Sequence, residues 1–202
     1  MFNYLCVGLY KRRAFEVYTR RYLETSGQVY WSDAQLSAAY KDDYHTELDQ
    51  RLGARVKGSE MISELYVPRH ALVSFMEAAR AELRQRKANV IYGTVRLIER
   101  DAESFLAWAR QSWACVIFNL HLDHTPPEIA EAAAAFRSLI DLALHHSGSY
   151  YLTYHRWATR AQVERCYPQF SEFLQLKLKH DPDEIFQSDW YRHHKQMFAR
   201  NA

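Results

Sequence analysis

The sequence predicts an α+β fold: a ferredoxin-like antiparallel sheet with helices on one face, extended by helical segments at both ends. Residues 60–67, 90–98 and 114–122 alternate side by side with a period of two, the pattern of strands covered on one face. Residues 72–83 and 126–143 repeat apolar side chains every three or four positions, the stripe of a helix packed on a core. With a fourth strand-like run at 149–155, the order is strand, helix, strand, strand, helix, strand. That is the split βαβ arrangement, whose helices cover only one face of the sheet.

Composition narrows the class. The chain has 202 residues, with 26 Lys and Arg against 24 Asp and Glu, a formal net charge of +2. Such balance gives no electrostatic case for nucleic acid. The length suffices to fold without staples. Cys6, Cys115 and Cys166 are odd in number and lack paired spacing, which argues against a disulfide framework and for a reducing compartment. No apolar run approaches the length of a membrane span. Lys11-Arg12-Arg13 follow the apolar start, the reverse of a signal peptide. A cytoplasmic protein is expected, with residues 1–52 as an extension of helix and loops and 53–202 as the main domain.

In the extension, Phe15, Tyr18 and Tyr22 fall at helical spacing, predicting a helix with one apolar face. Ser26-Gly27 marks a turn, and Val29-Tyr30-Trp31 a short strand. Asp42, Asp43 and His45 lack regular ligand spacing and read as solvated surface. In the first main strand, Met61, Ser63, Leu65 and Val67 lie opposite Glu60, Ile62, Glu64 and Tyr66, and Pro68 ends the run. The next helix carries Phe75, Ala79 and Leu83 inward and Arg84, Arg86 and Lys87 in its last turn, where cations complement the dipole.

In the second strand, Ile91, Gly93, Val95 and Leu97 oppose Tyr92, Thr94, Arg96 and Ile98. A short helical segment is expected at 102–109. In the third strand, Val116, Phe118, Leu120 and Leu122 alternate with Cys115, Ile117, Asn119 and His121. Thr125-Pro126-Pro127-Glu128 predicts a capped helix start with a capping box, and Gly148 its end. Thr159 and Gln162 form a second capping box. That helix breaks at Tyr167-Pro168 and stops at Asp181-Pro182.

The face away from the helices then presents Glu64, Thr94, Arg96, Asn119 and His121, beside His155 and Arg156 at a strand end. Tyr66, Tyr92 and Ile117 lie between them. Acid, guanidinium, amide and imidazole on one open face resemble the wall of a ligand site. Singly, each has a plainer reading, such as an Arg96–Glu64 pair across strands. His121 and His124 lack a third ligand, so no metal is expected. No Gly-rich phosphate loop, Gly-x-Ser-x-Gly elbow or Cys-x-x-Cys is present, so no nucleotide fingerprint exists within these residues.

Several motifs are familiar together: Glu64-Leu65-Tyr66-Val67-Pro68-Arg69, the Arg96 strand, Asn119-Leu120-His121, and Thr153-Tyr154-His155-Arg156-Trp157. The most specific is Tyr167-Pro168 with Phe170, Phe173, Lys177, Asp181-Pro182 and Phe186. From residue 60 onward the chain resembles the C-terminal substrate (cap) domain of FAD-linked oxidases of the vanillyl-alcohol-oxidase type, most of all the alditol oxidase and aldonolactone oxidase branch. The resemblance implies an oxidoreductase in which FAD is bound mainly by an N-terminal domain not present in this chain. This domain would hold an alcohol, polyol or sugar lactone over the flavin ring, and it is expected to be inactive alone.

By position the resemblance implies catalytic roles for Arg96, His121, His155 and Arg156, and substrate contacts from Glu64, Tyr66, Thr94 and Asn119. Trp190 and Tyr191 would face the cofactor. Thr94 stands where that branch carries a glutamate, and Arg156 replaces a lysine, an exchange that alters donor geometry. Polyol specificity is therefore not implied. The expected partners are an FAD-binding domain or chain and a small-molecule substrate. A second reading is a non-enzymatic ferredoxin-like module whose open face meets another protein or its own copy, as a homodimer.

Overall fold

Leu65 and Val67 pack to one side of the sheet and Tyr66 to the other, beside Cys115, and this alternation fixes the layers. The computed structural model of the chain describes residues 56–199 continuously, together with Arg20, Leu23, Glu24, Ser26, Gly27, Gln50, Gly53 and Ala54. The chain divides into two compact units, Met1–Arg55 and Val56–Ala202. In the first, Ser26 N–H donates to Leu23 O and Gly27 adopts a φ of 80°, so the Ser26-Gly27 turn forms. The expected helix at Phe15, Tyr18 and Tyr22, the strand at Val29-Tyr30-Trp31, and Asp42, Asp43 and His45 lie outside the described residues.

In the second unit, strand β1 (Gly58–Pro68) leads through a single 3-10 turn (Arg69–Ala71) into helix α1 (Leu72–Gln85). Strands β2 (Asn89–Ile98) and β3 (Trp113–Asp123), helix α2 (Pro126–His145) and strand β4 (Ser149–Tyr150) follow. The sheet order is β2-β3-β1-β4 with every pair antiparallel. This is the ferredoxin-like topology with α+β layering that the element order predicts. Helices α3 (Arg160–Cys166), α4 (Phe170–His180) and α5 (Asp189–Ala199) complete the described chain.

The main core lies on the helix side. Leu65, Val67, Val116 and Phe118 of the sheet meet Phe75 and Ala79 of α1 and Phe136, Leu139 and Ile140 of α2. Each large side chain so buried contributes about 1.5–3 kcal/mol relative to exposure. Residues 63–68 of β1 and most of β3 are sealed, but β2 is not. Val95 and Leu97, on the same side of the sheet, remain 49% and 66% exposed. Their alternation marks a face correctly, yet the helices do not reach the edge strand.

Four local expectations change. Strand β4 ends at Tyr150 instead of running to His155. Tyr151 N–H still donates to Glu64 O at 2.9 Å, but then the chain turns away. Its Leu152 carbonyl accepts from the Trp190 indole instead of a sheet neighbour. Residues 102–109 form no helix. Asp101 accepts from the Glu103 and Ser104 amides, a side-chain turn that competes with helix. Asp101 N–H donates to Ala109 O at 2.8 Å, closing the loop.

Past α2, the left-handed residue is Ser147 (φ 59°) and not Gly148. Glycine is required at 148 for close approach: a Cβ there would sit 2.1 Å from the Tyr66 carbonyl oxygen. At the start of α2, Thr125 accepts from Glu128 N–H at 3.4 Å without the reciprocal half of the box. At α3 both halves form, between Thr159 and Gln162. Helix α4 stops with Asp181 as its cap, before Pro182.

Candidate functional site

β1 and β2 are not neighbours, because β3 runs between them. In register, Glu64 pairs with Ile117 and Ile117 with Thr94; one step along, Tyr66 pairs with Cys115 and Cys115 with Arg96. Side chains of paired positions share a face, so Glu64, Thr94, Arg96, Asn119 and His121 all lie on the side away from α1 and α2. The anticipated Arg96–Glu64 pair does not form, since a whole strand separates them.

Glu64 instead has a cage of neutral donors. Its Oε1 accepts from Tyr66 Oη at 2.7 Å and Cys115 Sγ at 3.3 Å; its Oε2 accepts from Tyr154 Oη at 3.2 Å. The residue is only 8% exposed. Burial, reinforced by the Glu64 charge, pushes the Cys115 thiol up to about 12, so Cys115 serves as a donor and not a nucleophile. Burial first and the Glu64 carboxylate second also raise the Tyr66 and Tyr154 phenols. The Arg96 charge is near enough to offset part of the rise at Cys115 and Tyr154. Arg96 itself is exposed, and among the described residues it has no ion-pair partner.

A loop roofs one end of this face. Trp108 lies over Tyr66 with ring centroids 5.1 Å apart, and Tyr151 meets Trp108 edge-on at 6.2 Å. Tyr66, Ala109, Trp113, Cys115 and Ile117 make a second, smaller core there. Tyr66 is therefore wholly buried, and its expected role as a substrate contact is corrected to one of holding Glu64. What stays open beside the cluster is Thr94, Arg96, Tyr92 and Tyr154, the two tyrosines 50% and 47% exposed.

The remaining expected site residues are placed elsewhere. His121 shares the face with Arg96 but lies six positions along β3 from Cys115, Arg96's partner, about 20 Å at strand rise. It rests over Gly58, with Nε2 3.4 Å from Asp123 Oδ1. Asn119 is buried and donates to Glu60 Oε2 at 3.1 Å, so its amide is turned away from Glu64. His155 is not at a strand end. It packs between Phe136 of α2 and Trp157, on the helix side. Burial holds its imidazole down to about 3, and neither ring nitrogen has a hydrogen-bond partner.

Arg156 donates to Asp189 O at 3.3 Å and belongs with the start of α5. Trp190 packs among Phe170, Phe173 and His194, and Tyr191 is buried with its hydroxyl on Glu184. Tyr191 faces no open surface, so its cofactor-facing assignment is corrected; Trp190 is half-buried, and through these contacts both anchor the C-terminal helices. The residues that sequence reasoning missed are Cys115, Tyr154 and Trp108. Alternation already put Cys115 on the open face. Tyr154 and Trp108 arrive through loop folding, which leaves no periodic signal.

No protein-family model and no curated protein matches the chain. Among the described residues no helix is long and apolar enough to cross a membrane, and no group of three or more His, Cys, Asp or Glu is placed to hold a metal ion. The open part of this face offers an unpaired guanidinium in Arg96, hydroxyls at Thr94 and Tyr154 and aromatic surface between them, with Glu64 buried behind as the acceptor that fixes Tyr154.

Proposed function

We propose that this chain is the substrate domain of an FAD-dependent oxidoreductase acting on CH–OH groups of an alcohol, polyol or sugar lactone. The flavin would be held by a separate domain or chain, since no phosphate-cradling loop occurs in these residues. The single observation that supports the reading is the Glu64–Tyr154–Arg96 constellation on the helix-free face. Donors and acceptors of opposite character stand there on an aromatic surface, the need of a ligand rich in hydroxyl groups. The motifs by which the sequence resembles the aldonolactone and alditol oxidase branch agree with it.

The open residues also fit one edge of a flavin ring: Tyr92 and Tyr154 provide flat apolar surface and Arg96 a donor. The flavin, when bound, supplies the hydride acceptor. The chain's own residues would bind and orient the substrate, Arg96 through its carbonyl or hydroxyl oxygens and Tyr154 by positioning against Glu64. Trp108 and the loop 99–112 exclude water from one end. His121 and His155 have no part in this reading. The buried, free thiols of Cys115 and Cys166 suit a reducing, cytoplasmic setting.

A titration tests it without the flavin domain. An aldonolactone and a linear polyol, added to the isotope-labelled chain, should shift the backbone amide signals of Thr94, Arg96 and Tyr154 and spare those around His121. Arg96→Ala should abolish the shifts. No perturbation at millimolar ligand, or shifts centred on His121, would remove the assignment.

A further inference from the structure

Strand β2 is the sheet's free edge, and it is unlike a protected one. It spans ten residues with a single charge, Arg96, and exposes apolar side chains on both faces: Tyr92 at 50% on the open side, Val95 at 49% and Leu97 at 66% on the helix side. Monomeric proteins blunt such edges with lysine, proline or shortness. Next to it, α1 and β2 bound a groove of about 820 Å³ whose apolar lining includes Met76, Leu83, Val90 and Phe118. Val73, at the N-terminal end of α1, is 70% exposed.

The charges along that groove are ordered. Glu77 stands toward the start of α1, and Arg80, Arg84 and Lys87 toward and just past its end. None of the four has an ion-pair partner among the described residues. Reversed about the midpoint of Glu77 and Arg84, the row sets the acid of each copy against Arg84 of the other, with Arg80 near the axis. A two-fold axis turns one copy's acid toward the other's base.

We propose that the β2 edge and the α1 groove form the interface between two copies of this chain. The two β2 strands pair antiparallel about a two-fold axis at Thr94, and the sheet runs continuously through both copies. In that register Arg96 lies opposite Tyr92 of the other copy, a cation over a ring, and the two Arg96 side chains stay apart. Val95 meets Gly93, leaving room for its branched side chain. Helix α1 crosses over β3, so three strand spacings of about 4.8 Å separate the two α1 helices by ~14 Å. That exceeds direct helix packing but is within reach of a Glu77–Arg84 pair from each side. The interface shares Tyr92, Thr94 and Arg96 with the open-face site, but it is read from oligomeric state alone, so the ligand titration can fail without affecting it.

The test is the oligomeric state of the full 202-residue chain by sedimentation over a range of concentrations. The expected species has twice the 23.9 kDa of one chain. Leu97→Glu, at a site already two-thirds exposed, should leave circular dichroism unchanged and raise the dissociation constant by at least ~100-fold, because a charge is set against a desolvated edge. Glu77→Arg should weaken the dimer by ~10-fold, and adding Arg84→Glu should restore it. Thr94→Cys should cross-link on oxidation, since directly opposed residues on antiparallel strands fall within disulfide reach. A wild-type monomer at all concentrations, a dimer indifferent to Leu97→Glu, or no Thr94→Cys cross-link would overturn the proposal.

Discussion

The two faces of the sheet are built from the same strands and held by different means. On the helix side, Leu65, Val67, Val116 and Phe118 are sealed by two helices into one apolar core. On the other, Tyr66, Cys115 and Ile117 are covered at one end by a loop and grade into an exposed polar surface. Period-two alternation makes both from one sequence. The difference teaches how burial is graded on one sheet: a continuous core resists unfolding, while a partly roofed face buries the Glu64 carboxylate and leaves the Arg96 guanidinium within reach of solvent.

The sharpest way to break the comparison is to open the sealed side. Leu139 is wholly buried in α2 against that core. Leu139→Ala should cost about 3 kcal/mol through lost transfer energy and the cavity left behind, read as a lowered denaturant midpoint with unchanged ligand shifts. A cost near zero would mean that the helices are not what holds the sheet.

The open side should respond less in stability and more in binding. Glu64→Ala leaves the Tyr66 hydroxyl, wholly buried with its residue, without its acceptor, and stranding such a group costs about 1–3 kcal/mol. Glu64→Gln keeps shape and one acceptor oxygen and should cost about half as much, because hydrogen bonds to a charged group are roughly twice as strong. Equal losses for the two would show that the charge is immaterial. Thermal unfolding of both variants decides it.

Much of this contrast was legible in the sequence, and the illegible part has a physical cause. Strand alternation put Glu64, Arg96, Cys115 and His121 on one face, and capping residues located α2 and α3. Alternation carries no information about distance along a strand, so Arg96 and His121 were grouped though their pairing positions on β3 lie six residues apart. It also cannot foresee a chain that leaves the sheet. Once β4 stops at Tyr150, Tyr154 folds to the open side and His155 to the helix side. The resemblance implies a cofactor-facing role for Trp190 and Tyr191, and the sequence does not contradict it, because packed and ligand-facing aromatics look alike until their partners are known.

His155 turns that misplacement into a measurement. Its folded value is depressed to about 3 by burial, whereas the unfolded imidazole titrates near 6.5. Between these values the unfolded state binds the extra proton, so stability falls as pH drops below about 6.5 and the loss levels off near 3. At pH 5.5 the expected loss is about 1.4 kcal/mol relative to pH 8 from this residue alone. Burial lowers His193 and His194 in the same sense. His155→Phe should flatten the slope between pH 6.5 and 5, above the range where carboxylates titrate. An unchanged slope would mean that the ring is solvated and could belong to the open face after all.

The smallest effect expected tests whether exposure, and not the face itself, sets the scale. Glu64, Ile117 and Thr94 form one row across the open side. The row runs from buried at Glu64 and Ile117 to exposed at Thr94 on the free edge. Thr94→Ala removes a hydroxyl already shared with water, and its stability change should stay within about 0.5 kcal/mol. Lactone binding should still weaken, because that hydroxyl stands beside Arg96 where the ligand is proposed to lie. A stability loss comparable with that of Glu64→Ala, measured at a concentration low enough to keep the chain monomeric, would show that Thr94 is covered. The face would then be closed along its whole width, and the row would carry structure in place of recognition.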